Sequence, residues 1–210
     1  MYTRVVDVLT GLGRTLGFSF AAGINLYATV AILGLASRYG WVDLPPQYRV
    51  FDHTWIIAAA IGLYIVEFFA DKIPWLDSAW DAFHTIIRPV GGALIAVASI
   101  GHASPATQAL VALLGAALAG STHLTKAGTR AVVNTSPEPF SNWILSVAED
   151  GFAIGLGLLA LKYPLAAAIV VLVCLAAIVC LARWLMRAAR RRFSARGTAP
   201  SPFERTTRRA

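Results

Sequence analysis

The sequence predicts an all-α membrane protein, a polytopic transmembrane helical bundle with about six spans. First, 57% of its 210 residues are hydrophobic and only 14% are charged, whereas soluble domains carry about 25% charged residues. Second, residues 165–182 contain no charged side chain, and a helix needs roughly 20 mostly apolar residues to cross a bilayer. Third, five further apolar segments precede this run.

Glycine, asparagine and proline residues punctuate these segments. Gly23 and Asn25 interrupt the first one, so a re-entrant segment in place of one crossing stays open. Pro105 and Pro164 predict tight turns, because proline disfavours helix in the residue before it and suits the first helical position. The predicted segments are residues 12–37, 55–70, 79–101, 106–124, 142–161 and 164–184.

The net charge of +7 comes from the C-terminus, where residues 183–210 hold nine arginines and one glutamate. Basic residues that flank a span stay in the cytoplasm. The sequence therefore predicts a transmembrane domain at 1–185 and a basic, disordered cytoplasmic tail at 186–210. With six crossings, the N-terminus is predicted to be cytoplasmic as well. Membrane lipids are the expected partners, with anionic lipid at the tail, and we expect no nucleic acid.

Two segments share the pattern P-x-x-x-S-x-W, at residues 74–80 and 137–143. Each copy opens an apolar segment that ends at a proline turn. Duplicated hairpins are a common way to build transporters, although a chance match also stays open. Small residues, among them Gly92, Gly115 and the Gly151-x-x-x-Gly155 motif, favour close helix packing. A homo-oligomer is left open too.

Ionisable residues inside the spans are costly in lipid, and they recur at helical spacing. Four of them lie four, three and four residues apart on the third segment, so they share one stripe. Similar stripes end the second and fourth segments and open the fifth, and Arg88 is the expected partner of Glu149 or Asp150. The predicted substrate or ion pathway consists of Asn25, Glu67, Asp77, Asp81, His84, Arg88, Glu149 and Asp150.

Each of these residues also has a structural interpretation. Asp71, Lys72, Asp77 and Lys126 are expected to be solvated helix ends. The deeper charges are either a structural ion pair or a functional site, and a purely structural pair gains little because desolvation offsets most of its attraction. His84 is either a proton relay or a histidine bonded to a neighbour. Asn25 either lines a pathway or bonds to another helix.

A metal site is geometrically conceivable in the third segment. Asp77, Asp81 and His84 have the spacing D-x-x-x-D-x-x-H and offer ligands that suit a divalent metal. No second cluster has the spacing of a known site, and the chain lacks a glycine-rich phosphate loop. We therefore expect no metal or other cofactor and assign no catalytic residue.

Three motifs carry a resemblance that covers residues 12–185 and omits the tail. The sequence resembles a bacterial membrane family, domain of unknown function 4126, and more loosely the DedA-type lipid transporters. The resemblance implies location in the bacterial cytoplasmic (inner) membrane and no particular chemistry. The motifs are AGINLY at 22–27, EFFADKIP at 67–74 with DSAWD at 77–81 and RP at 88–89, and NTSPEPFSNW at 134–143 with ED at 149–150.

Three functions fit the sequence. The first is a transporter or flippase for a small or lipid-linked solute, with a cytoplasm-facing polar cavity coupled to protons. The second is a non-catalytic membrane scaffold or assembly factor. The third is a metal-dependent lipid-modifying enzyme that uses the stripe on the third segment. Enzymatic activity is the less favoured alternative, because no motif names a reaction.

Overall fold

The computed structural model describes residues 2–135 and 140–197, and within these residues every regular element is a helix. This confirms the predicted all-α bundle. Residues up to Val171 form one compact unit, and the rest of α7 belongs to a second one. The elements are α1 (Tyr2–Ile24), α2 (Leu26–Tyr39), a 3₁₀ helix (Pro46–Asp52), α3 (Thr54–Ala70), α4 (Pro74–Ile100), α5 (Pro105–Val133), α6 (Phe140–Lys162) and α7 (Pro164–Gly197).

Several of these helices are able to cross a membrane. In the described part of the chain, α4, α5, α6 and α7 are long and apolar enough to do so. The 3₁₀ helix and α3 together supply a fifth apolar stretch, bent by 64° between the two. The protein is therefore a multi-pass integral membrane protein, and its four or five candidate spans roughly match the predicted six.

Proline and serine residues set the helix starts. Pro74, Pro105 and Pro164 each occupy the first position of a helix, where the missing N–H removes no helical hydrogen bond. Ser104 caps α5 by accepting a hydrogen bond from the Thr107 N–H at 3.2 Å. The predicted proline turns are therefore present.

The first apolar segment is broken at Asn25, which separates α1 from α2. Asn25 has an extended backbone, with φ −143° and ψ 99°. Its side-chain oxygen accepts a hydrogen bond from the Ala28 N–H at 2.9 Å, as an N-cap residue does. Gly40 ends α2 in the left-handed conformation with φ 61°, which glycine adopts without strain. Both ends of α2 are thus specified locally.

The chain reverses direction at this break, as its contacts with α6 show. On the way in, Gly17 of α1 packs against Ala160. The break itself bonds to Asp150, ten residues earlier on α6 by the sequence numbering. On the way out, Ile32 of α2 packs against Gly157. The segment predicted as one crossing is therefore a re-entrant helical hairpin with its tip at Asn25.

The hairpin enters and leaves the bundle at one end, because Arg14 of α1 donates a hydrogen bond to the Asp43 carbonyl oxygen at 3.0 Å. We call this the Pro45 end, where residues 40–53, 101–104 and 163 connect helices. The opposite Pro74 end is formed by residues 71–73 and 134–135. Two cytoplasmic termini were predicted from an even number of crossings, and a hairpin in place of the first crossing removes that argument.

Small residues bring the helices of the first unit close together. A Cβ atom added to Gly92 of α4 would lie 2.5 Å from the Ala119 Cβ and 2.7 Å from the Gly115 carbonyl oxygen of α5. The predicted close packing therefore holds at Gly92 and Gly115. Gly151 and Gly155 differ, since an added Cβ at either would meet nothing within 4 Å.

Two predictions fall partly outside the described residues. Helix α7 continues to Gly197, so the first part of the segment predicted as a disordered tail is helical. Residues 198–210 lie outside the described part, and the binding of anionic lipid there stays a prediction. Pro137, which begins the second P-x-x-x-S-x-W copy, also lies outside it, whereas Trp143 belongs to α6.

Candidate functional site

Polar side chains from α3, α4, α5 and α6 converge on the tip of the re-entrant hairpin, toward the Pro74 end. Nearly all of them are buried, and Glu149 keeps 13% of its side-chain surface exposed. We call this set the polar network. Its members are Asn25, Glu67, Asp71, Asp77, Asp81, Arg88, His123, Lys126, Arg130, Asn142, Glu149 and Asp150.

Arg88 joins α4 to α3 and to the hairpin. Its guanidinium lies 2.6 Å from the Glu67 carboxylate and 3.7 Å from that of Asp81. It also donates a hydrogen bond to the Gly23 carbonyl oxygen at 3.0 Å. The predicted pairing of Arg88 with Glu149 or Asp150 was wrong, because α3 supplies the nearer carboxylate.

Lys126 of α5 occupies the centre of the network. Its ammonium lies 3.3 Å from the Glu67 carboxylate and 3.0 Å from that of Asp71. It also donates to the Ile24 carbonyl oxygen at 3.4 Å. The last carbonyls of a helix lack intrahelical partners and carry partial negative charge. Lys126 and Arg88 therefore complement the C-terminus of α1.

Arg130, one helical turn after Lys126, connects α5 to α6. Its guanidinium lies 2.8 Å from the Glu149 carboxylate and 3.0 Å from that of Asp71. It also donates to the Asn142 side-chain oxygen at 2.7 Å. Arg130 is thus the partner of Glu149, and it anchors the start of α6 to the end of α3.

Three of the four side chains expected to be solvated helix ends are buried. Asp71, Asp77 and Lys126 each expose 4% of their surface or less. Asp77 accepts a hydrogen bond from the Asn134 amide at 2.7 Å. Only Lys72 resembles the expectation, because its ammonium lies outside the network, 3.1 Å from the centre of the Phe68 ring. Opposite charges on neighbouring helices explain how the other three can be buried.

The two histidines of this region have different surroundings. His123 Nδ1 accepts a hydrogen bond from Arg88 at 2.9 Å, and Nε2 donates to the Asp81 carbonyl oxygen at 3.0 Å. Since Arg88 can only donate, this arrangement requires a neutral His123. His84 instead bonds to the Trp80 carbonyl oxygen at 2.7 Å and to the Tyr27 hydroxyl at 2.9 Å. His84 is therefore bonded to neighbours at the edge of the network.

Asn25 and Asp150 form the link between the hairpin and α6. The Asn25 amide donates to one oxygen of the Asp150 carboxylate at 2.8 Å. The amide is oriented by its other half, which caps α2. A carboxylate is favoured beside a helix N-terminus, because the unpaired N–H groups there carry partial positive charge. At the break, the Asp150 carboxylate therefore lies near the start of α2, and the Arg88 and Lys126 cations contact the last carbonyls of α1.

The proposed metal stripe is not assembled as a ligand set. Asp77 bonds to Asn134, Asp81 faces Arg88, and His84 bonds to Tyr27. Across the part of the chain that the structure describes, no group of three histidine, cysteine, aspartate or glutamate side chains is arranged to hold a metal ion. The geometric basis for the metal-dependent enzyme hypothesis is therefore lost.

A cavity of about 720 Å³ opens at the other end of the bundle, the Pro45 end. It is lined by α1, the loop after α2 and the turn between α4 and α5, and Arg14 and Asp43 belong to its wall. Its deepest polar residue on α1 is Thr15. One turn further, Ser19 donates to the Gly92 carbonyl oxygen at 3.2 Å. A further turn leads to Gly23, which Arg88 contacts, so one face of α1 joins the cavity to the network.

The structure brings seven of the eight predicted pathway residues into the network and leaves His84 at its edge. Sequence reasoning placed Asp71, His123, Lys126, Arg130 and Asn142 on polar stripes without assigning them to the pathway. Their helical spacing was the available signal. The burial of Lys126 and Arg130 depends on the carboxylates of α3, which that spacing does not reveal.

Comparison with known proteins identifies a family and nothing more specific. No curated protein and no solved structure matches the chain significantly. The sequence profile described as "Domain of unknown function (DUF4126)" matches residues 12–184. The match includes the hairpin from Leu12 onward and every member of the polar network. The chain belongs to the family of domain of unknown function 4126.

Proposed function

We propose that the protein is a transporter or flippase for a small or lipid-linked solute in the bacterial cytoplasmic membrane. One observation carries the proposal: a re-entrant hairpin ends inside the bundle, and buried charges from α4, α5 and α6 contact its tip. Secondary transporters build their sites from broken helices whose ends face substrate or ions at mid-membrane. An ionisable residue within the membrane is by default a candidate functional group.

The energetics of the network support a role beyond holding the helices together. Replacing a buried ion pair with well-packed apolar residues is often neutral or stabilising. The network contains three cationic side chains, Arg88, Lys126 and Arg130, against six carboxyl groups. Such an excess of buried negative charge is unfavourable when fully ionised, and transport of a cationic group or proton would use it.

The distribution of cavities suggests one state of an alternating-access cycle. The network is closed by direct ion pairs, whereas the cavity of about 720 Å³ opens at the Pro45 end. Thr15 and Ser19, both fully buried, separate the two. Movement of the hairpin relative to α4 and α5 would connect them. The sequence suggested an open polar cavity at the charged side, so the proposed route now begins at the other end.

The test is transport by purified protein in proteoliposomes. Lipid movement is followed with a fluorescent phospholipid and a membrane-impermeant quencher, and solute movement by solid-supported-membrane electrophysiology with a panel of small ions and amines. Glu149→Gln, which removes the carboxylate that faces Arg130, should abolish the signal of the wild type. Asp52→Asn is the matched control, because Asp52 forms a half-exposed pair with Arg38 outside the network.

Two results would remove the proposal. One is a wild-type protein that moves neither lipid nor any solute of the panel. The other is transport that persists unchanged in Glu149→Gln and in Arg88→Ala, with both variants shown to be folded by circular dichroism.

A scaffold or assembly factor is the second candidate, and the closed ion pairs of the network favour it. The Arg130 guanidinium lies 3.0 Å or less from side-chain oxygens of Glu149, Asp71 and Asn142. Such close contacts are typical of an interaction that holds helices together. If this function is correct, neutral substitutions in the network should alter stability alone. Normal growth of cells that carry folded Glu149→Gln protein, together with failure of transport in the wild type, would support it.

A further inference from the structure

We propose that Asp150, held by Asn25 at the tip of the hairpin, binds the proton that couples transport. This inference rests on the proposed function and names its coupling ion and binding group. The relevant observation is a difference between Asp150 and the other five carboxyl groups of the network.

Asp150 is the carboxyl group without a cationic partner. Glu67, Asp71, Asp77, Asp81 and Glu149 each lie within 4.0 Å of an arginine or lysine nitrogen. Among the side chains that the structure describes, no such nitrogen lies within that distance of Asp150, which is only 4% exposed. Its Oδ1 accepts from Asn25 at 2.8 Å, and its Oδ2 has no hydrogen-bond partner.

The charged groups around Asp150 do not provide it with a counter-ion of its own. Tyr64 and Glu67 of α3 lie within electrostatic range, as do Asp71 and Lys72 directly after it, and α5 contributes Lys126. Lys126 already lies within 4.0 Å of three other carboxylates. Glu149, the neighbour on α6, is occupied by Arg130. A buried carboxylate without its own counter-ion is costly, and uptake of a proton removes that cost.

The geometry favours a proton over a metal cation. The Asn25 Nδ2 atom, a donor, faces the carboxylate, and it cannot be exchanged with Oδ1 because Oδ1 accepts from the Ala28 N–H at 2.9 Å. A metal cation needs several oxygen ligands, whereas the nearest group to the Asp150 carboxylate presents N–H bonds. A proton needs only the free Oδ2 lone pair.

Protonation at this position would act on the hairpin. A proton from solution adds to Oδ2 and converts the carboxylate to a neutral acid, with no other bond broken. The hydrogen bond from Asn25 then loses its charge assistance, and charged hydrogen bonds are roughly twice as strong as neutral ones. The contact that ties the tip of the hairpin to α6 is weakened, which links proton binding to movement of α1 and α2.

Infrared spectroscopy tests this directly on the purified full-length protein. A protonated carboxylic acid has its own carbonyl stretching band, and its intensity is followed as the pH is raised. The wild type should lose a band that Asp150→Asn never shows. Asp52→Asn, the same change in a half-exposed pair, should keep the wild-type band.

A second variant covers the case in which Asp150→Asn fails to fold. Asn25→Ser keeps an N-cap oxygen for α2 but removes the amide that donates to Asp150. Its band should titrate at a higher pH than that of the wild type, because the carboxylate loses its one donor.

The outcomes separate the two proposals. If transport occurs but no band depends on Asp150, this inference is overturned and the transporter stands. If the band depends on Asp150 but no lipid or solute moves, the transporter is overturned, and with it the coupling role of Asp150, while Asp150 remains a proton-binding group. A response to sodium at constant pH, in place of a response to pH, would also overturn the assignment of a proton.

Discussion

The two halves of the helix bundle are held together in opposite ways. Toward the Pro45 end, α1, α4, α5 and α6 touch through glycine and alanine, as at Gly92 and Gly115 or Gly17 and Ala160. Toward the Pro74 end, buried ion pairs join α4 and α5 to the end of α3 and α5 to α6. At these glycine contacts the backbones lie too close for any side chain to fit between the helices. The charged half, by contrast, contains groups that can change protonation and partners.

The tip of the hairpin lies at the boundary between the two halves. Small residues line α1 as far as Gly23, and cations meet its last carbonyls directly afterwards. Close packing along α1 fixes the depth of the tip, and the charged side chains of Arg88 and Lys126 bind it there. The close-packed half of the bundle therefore positions the hairpin, and the charged half binds its tip.

The largest expected effect is all-or-none and tests the hairpin on which the comparison depends. In a background with Cys174→Ala and Cys180→Ala, we expect Asp7→Cys and Asp43→Cys to react with a membrane-impermeant thiol reagent from the same side. Thr135→Cys, at the Pro74 end, should react only from the opposite side. The measurement is labelling of intact and inverted vesicles. Labelling of positions 7 and 43 from opposite sides would show that the first segment crosses.

A large loss of stability is expected when one cation is removed from the charged half. Arg88→Met leaves Glu67 and Asp81 without this partner, and breaking a buried pair costs about 3–5 kcal/mol. The matched change Arg38→Met removes a half-exposed pair and should cost about 1 kcal/mol or less. Unfolding in detergent, followed by circular dichroism, measures both.

The same measurement, applied to a double variant, separates the loss of the ion pair from the loss of side-chain packing at position 88. Glu67→Gln in combination with Arg88→Met should cost less than the sum of the two single changes, because one of the two carboxylates that lose Arg88 is gone. Equal costs for Arg88→Met and Arg38→Met would mean that the ion pairs of the charged half contribute no more than a surface pair.

Smaller changes in stability are expected from glycine-to-alanine substitutions, and their sign should depend on whether the glycine is closely packed. Gly92→Ala brings a methyl group to within 2.7 Å of the Gly115 carbonyl oxygen, and such overpacking costs about 1–3 kcal/mol. Gly155→Ala on α6 meets open space and should stabilise the protein by about 0.4–1 kcal/mol, since alanine restricts the unfolded chain. If both changes prove neutral in a thermal unfolding assay, close glycine packing does not hold this half together.

Much of the architecture was predictable because it is encoded over short distances. Apolar runs longer than a bilayer is thick identify the spans, and Pro74, Pro105 and Pro164 mark where helices start. The stripe from Asp77 to Arg88 was predictable for the same reason, since four-residue spacing places side chains on one face whatever surrounds the helix.

The pairing of charges was not predictable in the same way. Arg88 was expected to pair with Glu149 or Asp150 of the fifth segment, and only the position of α3 assigns it to Glu67. Lys126 was expected to be a solvated helix end because the fourth apolar segment ends at residue 124, although α5 continues to Val133. Its burial depends on the acids that α3 brings beside it. Spacing along one helix carries no information about the neighbouring helix.

By itself, the sequence determined a membrane-spanning helical protein, the proline-marked starts of α5 and α7 and the faces on which charges lie, because hydropathy, capping and periodicity act between residues close in the chain. The tertiary structure alone decided that the chain turns back at Asn25 and that Asp150 meets the turn without a cation. A kinked crossing and a hairpin satisfy the same local hydrogen bonds at Asn25. Packing against α4, α5 and α6 selects the hairpin. Only in the hairpin do α1 and α2 both bury their small residues while the break meets the charged side chains of the network.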